Sequence, residues 1–130
     1  RNMGREQSMD HDSRYDQADE FMEIVHGHWD SWDDDAVEVD RKNGRYADPA
    51  KVRRLDYKGK YMSSRGPFTV PRSDQGHPVV IQAGQSKRGR VFAARWGEVI
   101  FTSINSMISG KLRYAELKQM TAANGRDLML

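Results

Sequence analysis

Residues 79–102 read VVIQAGQSKRGRVFAARWGEVIFT, and their pattern decides the fold class. Val79-Val80-Ile81-Gln82-Ala83 is a short, continuous apolar run rich in β-branched residues, the composition of a buried parallel strand. Gly84-Gln85-Ser86 follows as a turn. Val91, Phe92 and Ala94 then give one apolar side to a helix over 87–96, which Gly97 stops. Val99-Ile100-Phe101-Thr102 is a second strand of the same kind. Strand, tight turn, helix and strand make a βαβ unit, whose crossover is expected to be right-handed. A further helix is expected over 111–123, ended by Asn124-Gly125, and Leu128-Met129-Leu130 reads as the start of another strand. Alternation of strands and helices is the grammar of a parallel α/β protein.

Working outward, residues 1–13 are polar and aperiodic and read as loop. A long helix over 14–32 follows, with Asp12 or Ser13 as its N-cap. Tyr15, Ala18, Phe21, Met22, Val25, Trp29 and Trp32 recur at three-and-four spacing, while Asp16, Asp19, Glu20 and Glu23 cover the other face. Phe21, Trp29 and Trp32 are therefore core candidates before they are stacking platforms. Asp33-Asp34-Asp35 ends the helix. From 33 to 76 the sequence is irregular, punctuated by Gly44, Pro49, Gly59, Gly66, Pro67, Pro71 and Gly76. A hairpin turning at Lys58-Gly59 is expected inside it. The stretch reads as an excursion from a larger scaffold, since so long a loop is unusual in a compact domain. Residues 77–130 form the βαβα segment.

The totals exclude several classes. Among 130 residues, 21 basic and 19 acidic side chains nearly cancel, so charge gives no argument for a nucleic-acid partner. Without cysteine there is no disulfide framework and no thiolate metal site, which fits a cytoplasmic protein. No apolar stretch approaches the roughly 18–20 residues that span a bilayer. The chain begins at Arg1 without an initiator methionine, and both ends read as cut.

The strongest chemical feature is the turn Gln82-Ala83-Gly84-Gln85-Ser86 at the carboxyl end of a strand, where α/β folds bind ligands. The following helix offers free N–H groups and a positive dipole end to an anion. Gly84 would let the main chain approach a phosphate, the Ser86 hydroxyl would donate to it, and Lys87 and Arg88 add charge. The same pattern also makes a plain tight turn with Ser86 as N-cap. His11 and Tyr15, four residues apart near a helix start, are a second candidate, against a solvent-exposed histidine and a tyrosine of the apolar stripe. His26 and His28 point about 200° apart on a helix and cannot share one metal ion. The residues alone stop at a parallel α/β segment with one candidate phosphate-binding turn; a non-catalytic phosphate- or nucleotide-binding module and an oligomerising structural domain stand as rivals to an enzymatic reading.

Several motifs in order carry a resemblance. Arg14-Tyr15-Asp16-Gln17-Ala18-Asp19-Glu20-Phe21, Trp29-Asp30-Ser31-Trp32, Asp56-Tyr57-Lys58-Gly59-Lys60-Tyr61, Arg65-Gly66-Pro67-Phe68, Pro71-Arg72-Ser73 and Gln75-Gly76-His77-Pro78 precede the most specific stretch. That stretch is Gln82-Ala83-Gly84-Gln85-Ser86 with Gly89, Ala93-Ala94 and Glu98-Val99-Ile100-Phe101. Together they resemble the nitrilotriacetate monooxygenase family of bacterial-luciferase-like, FMN-dependent monooxygenases, which includes alkane and dibenzothiophene-sulfone monooxygenases. The resemblance implies part of a TIM (β/α)8 barrel and a cytoplasmic two-component enzyme. Reduced FMN would come from a separate flavin reductase, molecular oxygen would be the co-substrate, and an organic small molecule would be oxygenated. It also implies a homo-oligomer. By position, Ser86 resembles the serine that contacts the FMN phosphate, Gly84 and Gln85 supply the turn, and His11 and Tyr15 resemble the family's flavin-contacting pair. No proton-transfer residue is assigned. His28 departs from the pattern, which has an aliphatic residue there. Family barrels are several times longer, so this piece alone is expected to be inactive.

Overall fold

The computed structural model describes residues 8–126, which fall into two compact units. One unit combines the start of the chain, to Tyr15, with everything from Val79 onward; the other runs from Asp16 to Pro78. The expected final strand lies outside the described residues, as does most of the expected N-terminal loop.

In the first unit, β5 (Ile81–Gln82) and β6 (Val99–Ile100) pair in parallel, with Ile81 opposite Val99 and Gln82 opposite Ile100. Glu98 N–H and Phe101 N–H donate to Val80 and Gln82 carbonyls at 2.8 and 2.9 Å, extending the pairing on both sides. Helix α2 (Lys87–Trp96) makes the crossover, so the predicted strand–turn–helix–strand order is present. The strands are shorter than the apolar runs, and they are not buried: Ile81 is 68% and Val99 47% exposed. Burial of a parallel strand needs layers on both faces, and the described residues supply only α2 and α3 (Met107–Ala123) around a single strand pair. The small core of this unit lies between those helices, where Ala93, Ala94, Leu117 and Thr121 are buried. Arg90 Nε donates to Glu116 at 3.0 Å across the same contact.

Helix α3 begins four residues before its expected start. Ser106 and Ser109 form a reciprocal capping box, each side chain accepting the other's main-chain N–H at 3.2 Å. Serine in place of the usual Glu or Gln at the third helical position hides that signal. The stop is as expected, with Asn124 as C-cap and Gly125 at φ +69°.

Helix α1 (His11–Trp29) also starts and ends early. Asp10 is the cap: its Oδ1 accepts the N–H groups of Ser13 and Asp12 at 3.0 and 3.1 Å. At the far end the Ser31 hydroxyl donates to the His28 carbonyl at 2.7 Å and its N–H to the same oxygen at 3.1 Å, so Ser31 and Trp32 leave the helix. No residue of α1 is buried and Phe21 is 51% exposed, so the apolar stripe does not form the expected core.

The second unit replaces the expected irregular excursion with two hairpins. β1 (Val37–Asp40) pairs antiparallel with β2 (Arg45–Ala47) around a turn that sequence reading missed. Asp40 builds it, accepting from the N–H groups of Lys42 and Asn43 and from the Asn43 amide, with Gly44 at φ +65°. β3 (Tyr57–Lys58) pairs with β4 (Ser63–Ser64), so the expected hairpin exists, but it turns through 59–62 and not at Lys58-Gly59. Glu20 explains the shift. Its carboxylate accepts the N–H groups of Lys60, Tyr61 and Met62 at 2.7, 2.8 and 3.0 Å, organising the wider loop. His28, the departure from the family pattern, bonds Ser64 Oγ through Nε2 at 2.6 Å and lies against Phe68. His26 packs instead on Trp29 and His77. Asp30 accepts from His77 Nε2 at 2.7 Å and from Arg72. Partial burial raises its carboxyl pKa, but the His77 and Arg72 hydrogen bonds and charges outweigh that and hold it below the usual range.

Candidate functional site

The five residues singled out as cofactor contacts lie in the first unit, and the structure brings most of them to one place. Ser86 is the N-cap of α2, and its Oγ accepts the Gly89 N–H at 2.9 Å. The structural reading of the Gly-x-Ser turn is therefore realised. It does not compete with anion binding, because a hydroxyl that accepts one bond through a lone pair keeps its proton to donate.

Gly84 and Gly89 face each other across this turn. A Cβ on Gly84 would stand 3.2 Å from Gly89 Cα, and a Cβ on Gly89 would stand 3.2 Å from Gly84 Cα. The Tyr15 hydroxyl fits between them, 2.7 Å from where either Cβ would be. Two glycines thus open the space that the tyrosine tip occupies. His11 lies one helical turn before Tyr15, its ring 5.1 Å from the tyrosine ring, and its Nδ1 contacts Asp12 at 2.8 Å. On α2, Phe92 is 5.6 Å from the Tyr15 ring centroid and the Arg88 guanidinium is also 5.6 Å from it. Gln85 contributes differently from Ser86: its carbonyl accepts from Arg90 Nη1 at 2.7 Å, which ties the turn to the first turn of α2.

The charges of that first turn run against the usual preference for acids at a helix N-terminus and reinforce the dipole. The turn holds Lys87, Arg88 and Arg90 and no acid, at the end where the dipole is already positive. Arg90 is paired with Glu116. Lys87 and Arg88 add positive charge that suits the turn to a dianion, while the place of the missing Gly84 Cβ is filled by the Tyr15 hydroxyl and the Gln82 amide. The residues present fit a phosphate-bearing group.

Sequence reading missed Gly89 and Phe92 as members of this cluster. Gly89 stood in the family-like stretch without a role assigned, and Phe92 carried only helical spacing from Arg88; the Tyr15 contact joins segments far apart in the chain and has no local signature. Among the described residues no group of three or more His, Cys, Asp or Glu could hold a metal, and no helix is long and apolar enough to cross a membrane.

A parallel strand–turn–helix–strand unit, capped by Ser86 at the strand's carboxyl end, defines the class: a parallel α/β segment. The profile of the luciferase-like monooxygenase family matches residues 1–129, and the chain belongs to that family. It is 47% identical over 127 residues to a dibenzothiophene-sulfone monooxygenase of Rhodococcus erythropolis, covering 98% of this chain and 28% of that protein. The crystal structure of a long-chain alkane monooxygenase superposes with a TM-score of 0.91 at 38% identity, covering 97% of this chain and 29% of that one. A riboflavin lyase crystallised with a modified FMN and riboflavin as substrate superposes with a TM-score of 0.87 at 43% identity, over 93% of this chain and 27% of that one. The neighbours are luciferase-like TIM barrels, so the fold is part of such a barrel. The chain spans less than a third of the length of the relatives it matches.

Proposed function

We propose that the chain is the part of an FMN-dependent monooxygenase barrel that holds the flavin phosphate, with His11, Tyr15, Gly84, Gln85 and Ser86 as flavin contacts. The observation that carries this reading is the convergence of Ser86, the Tyr15 hydroxyl seated at the Gly84–Gly89 crossing and the acid-free basic turn on one strand end. The FMN in the riboflavin lyase structure supports the choice of phosphate ester. When bound, reduced FMN supplies the electrons that activate molecular oxygen toward an organic small molecule.

The chain's own residues bind and orient. Ser86 donates its hydroxyl proton to a phosphate oxygen while its lone pair caps α2. Gly84 admits the Tyr15 hydroxyl beside the turn, and the Gln85 N–H adds a donor in it. Lys87 and Arg88 offset the dianion's charge. Tyr15, wedged at the glycine crossing, and His11 beside it flank the same group. The enzyme that uses this site receives reduced flavin from a partner reductase and works as a cytoplasmic homo-oligomer.

Fluorescence titration with FMN tests the reading. Ser86→Ala is expected to weaken binding by about ten- to a hundredfold, the worth of one hydrogen bond to a charged group. Unchanged affinity would remove Ser86 from the site. A module that reads phosphate alone would instead bind inorganic phosphate and FMN equally.

A further inference from the structure

Tyr15 is held from two sides by residues with helical spacing. On α1, His11 stands four positions before it; on α2, Arg88 and Phe92 stand four apart and present a cation and a ring to the same phenol. The Phe92 and Tyr15 planes are tilted by 57° at 5.6 Å, within the range of favourable edge-to-face pairs. The phenol tip lies at the glycine crossing, 2.7 Å from the place a Cβ would take on either glycine, so neither position has room for a side chain beside it. A ring that can pivot about its Cβ needs a wall on its flank to keep its hydroxyl at so narrow an opening. Gly89 cannot provide that wall, since it has no side chain, and Ser86 is committed to the cap. Phe92, half-buried one turn further along α2, is the ring that does so from the α2 side, beside the Arg88 guanidinium and across from His11.

We propose that Phe92 is a positioning residue for the phosphate turn, acting through Tyr15: its ring sets the phenol so that the hydroxyl sits at the Gly84–Gly89 crossing. The inference rests on the flavin reading only for its consequence in binding, because the placement of Tyr15 is a property of the chain itself.

The test has two arms. In the first, the ring resonances of 13C-labelled Tyr15 are followed without ligand. Phe92→Leu shifts and broadens them, whereas Phe92→Tyr, which keeps the ring, restores the native signals. Unmoved Tyr15 signals in Phe92→Leu would overturn the inference whatever the ligand proves to be. In the second arm FMN and riboflavin are titrated against the native protein, Phe92→Leu, Tyr15→Phe and the double variant. Phe92→Leu weakens FMN roughly two- to tenfold, the worth of an aromatic pair, and leaves riboflavin unchanged. The loss shrinks toward nothing when Tyr15 already lacks its hydroxyl, since residues acting as a unit are not additive. Equal losses in both backgrounds, or equal losses for both flavins, would overturn it. Native protein that takes up no FMN would sink the functional reading, leaving the first arm to decide the placement of Tyr15.

Discussion

Replacing Ser86 by aspartate separates two roles that alanine confounds. Aspartate is a good N-cap, so Ser86→Asp should keep the melting temperature of the native chain, while Ser86→Ala should cost about 1 kcal/mol. Toward a phosphate the order reverses, because the aspartate adds a like charge at the turn. Comparing thermal melts with FMN titrations of both variants checks this, and parallel losses of stability and binding in Ser86→Asp would contradict it. Gly89→Ala is a second residue-scale expectation with an unusual sign. Within a helix this change ordinarily stabilises by ~1 kcal/mol. Here the new Cβ would meet Tyr15 Oη at 2.7 Å, Ser86 Oγ at 3.0 Å and Gly84 Cα at 3.2 Å. Main chain cannot swing aside as a flexible side chain can, so denaturant melts should show a loss of roughly 1–3 kcal/mol. At this scale the sequence showed Ser86, Gly84 and the His11–Tyr15 spacing, since each is a local pattern. The meeting of Tyr15 with Gly89 and Phe92 was invisible, because it is made by tertiary packing.

Elements were legible where they announce themselves by period or composition, and obscure where one side chain builds them. The strand–turn–helix–strand order was readable from apolar runs. The β1–β2 hairpin was not. Asn43-Gly44 is a favourable turn pair, but the strands beside it are short and mostly exposed, and the turn itself is held by the Asp40 carboxylate. The loop of β3–β4 depends likewise on Glu20, a helix residue distant in sequence. Burial raises the Glu20 pKa, but the amides of Tyr61, Lys60 and Met62 and the Lys60 charge outweigh it, leaving a net lowering. A carboxyl whose folded pKa is lowered stabilises the hairpin above the ordinary glutamate value of about 4.3 and loses that contribution as pH falls through its folded value. Amide exchange should therefore show protection at Lys60, Tyr61 and Met62 falling in acid below that value. Glu20→Gln should abolish the pH dependence, and a variant that keeps it would place the titrating group elsewhere.

At the scale of the whole molecule, the fold class was readable and the burial was not. A parallel barrel closes with eight strands, whereas the described residues hold one parallel pair. Ile81, Phe101, Met107 and Leu112 are accordingly exposed, although their composition is that of a core. Sequence composition records the surroundings a residue is suited to, and those surroundings need not be present in a span covering 28% of a relative. The proposed phosphate site is built at one strand end and does not enclose an organic substrate. The 130-residue chain is therefore expected to show no turnover in a reductase-coupled oxygenase assay; measured turnover would refute this. The central claim, that the Gly84–Ser86 turn is a flavin-phosphate site, is tested most directly by titrating FMN and riboflavin side by side against the native chain and Ser86→Asp. The account predicts that the native chain prefers FMN by about tenfold or more, the worth of a hydrogen bond to a charged group, and that Ser86→Asp erases the preference while the fold persists. Equal affinity for the two flavins in the native chain, or a preference for FMN that survives Ser86→Asp, would contradict it.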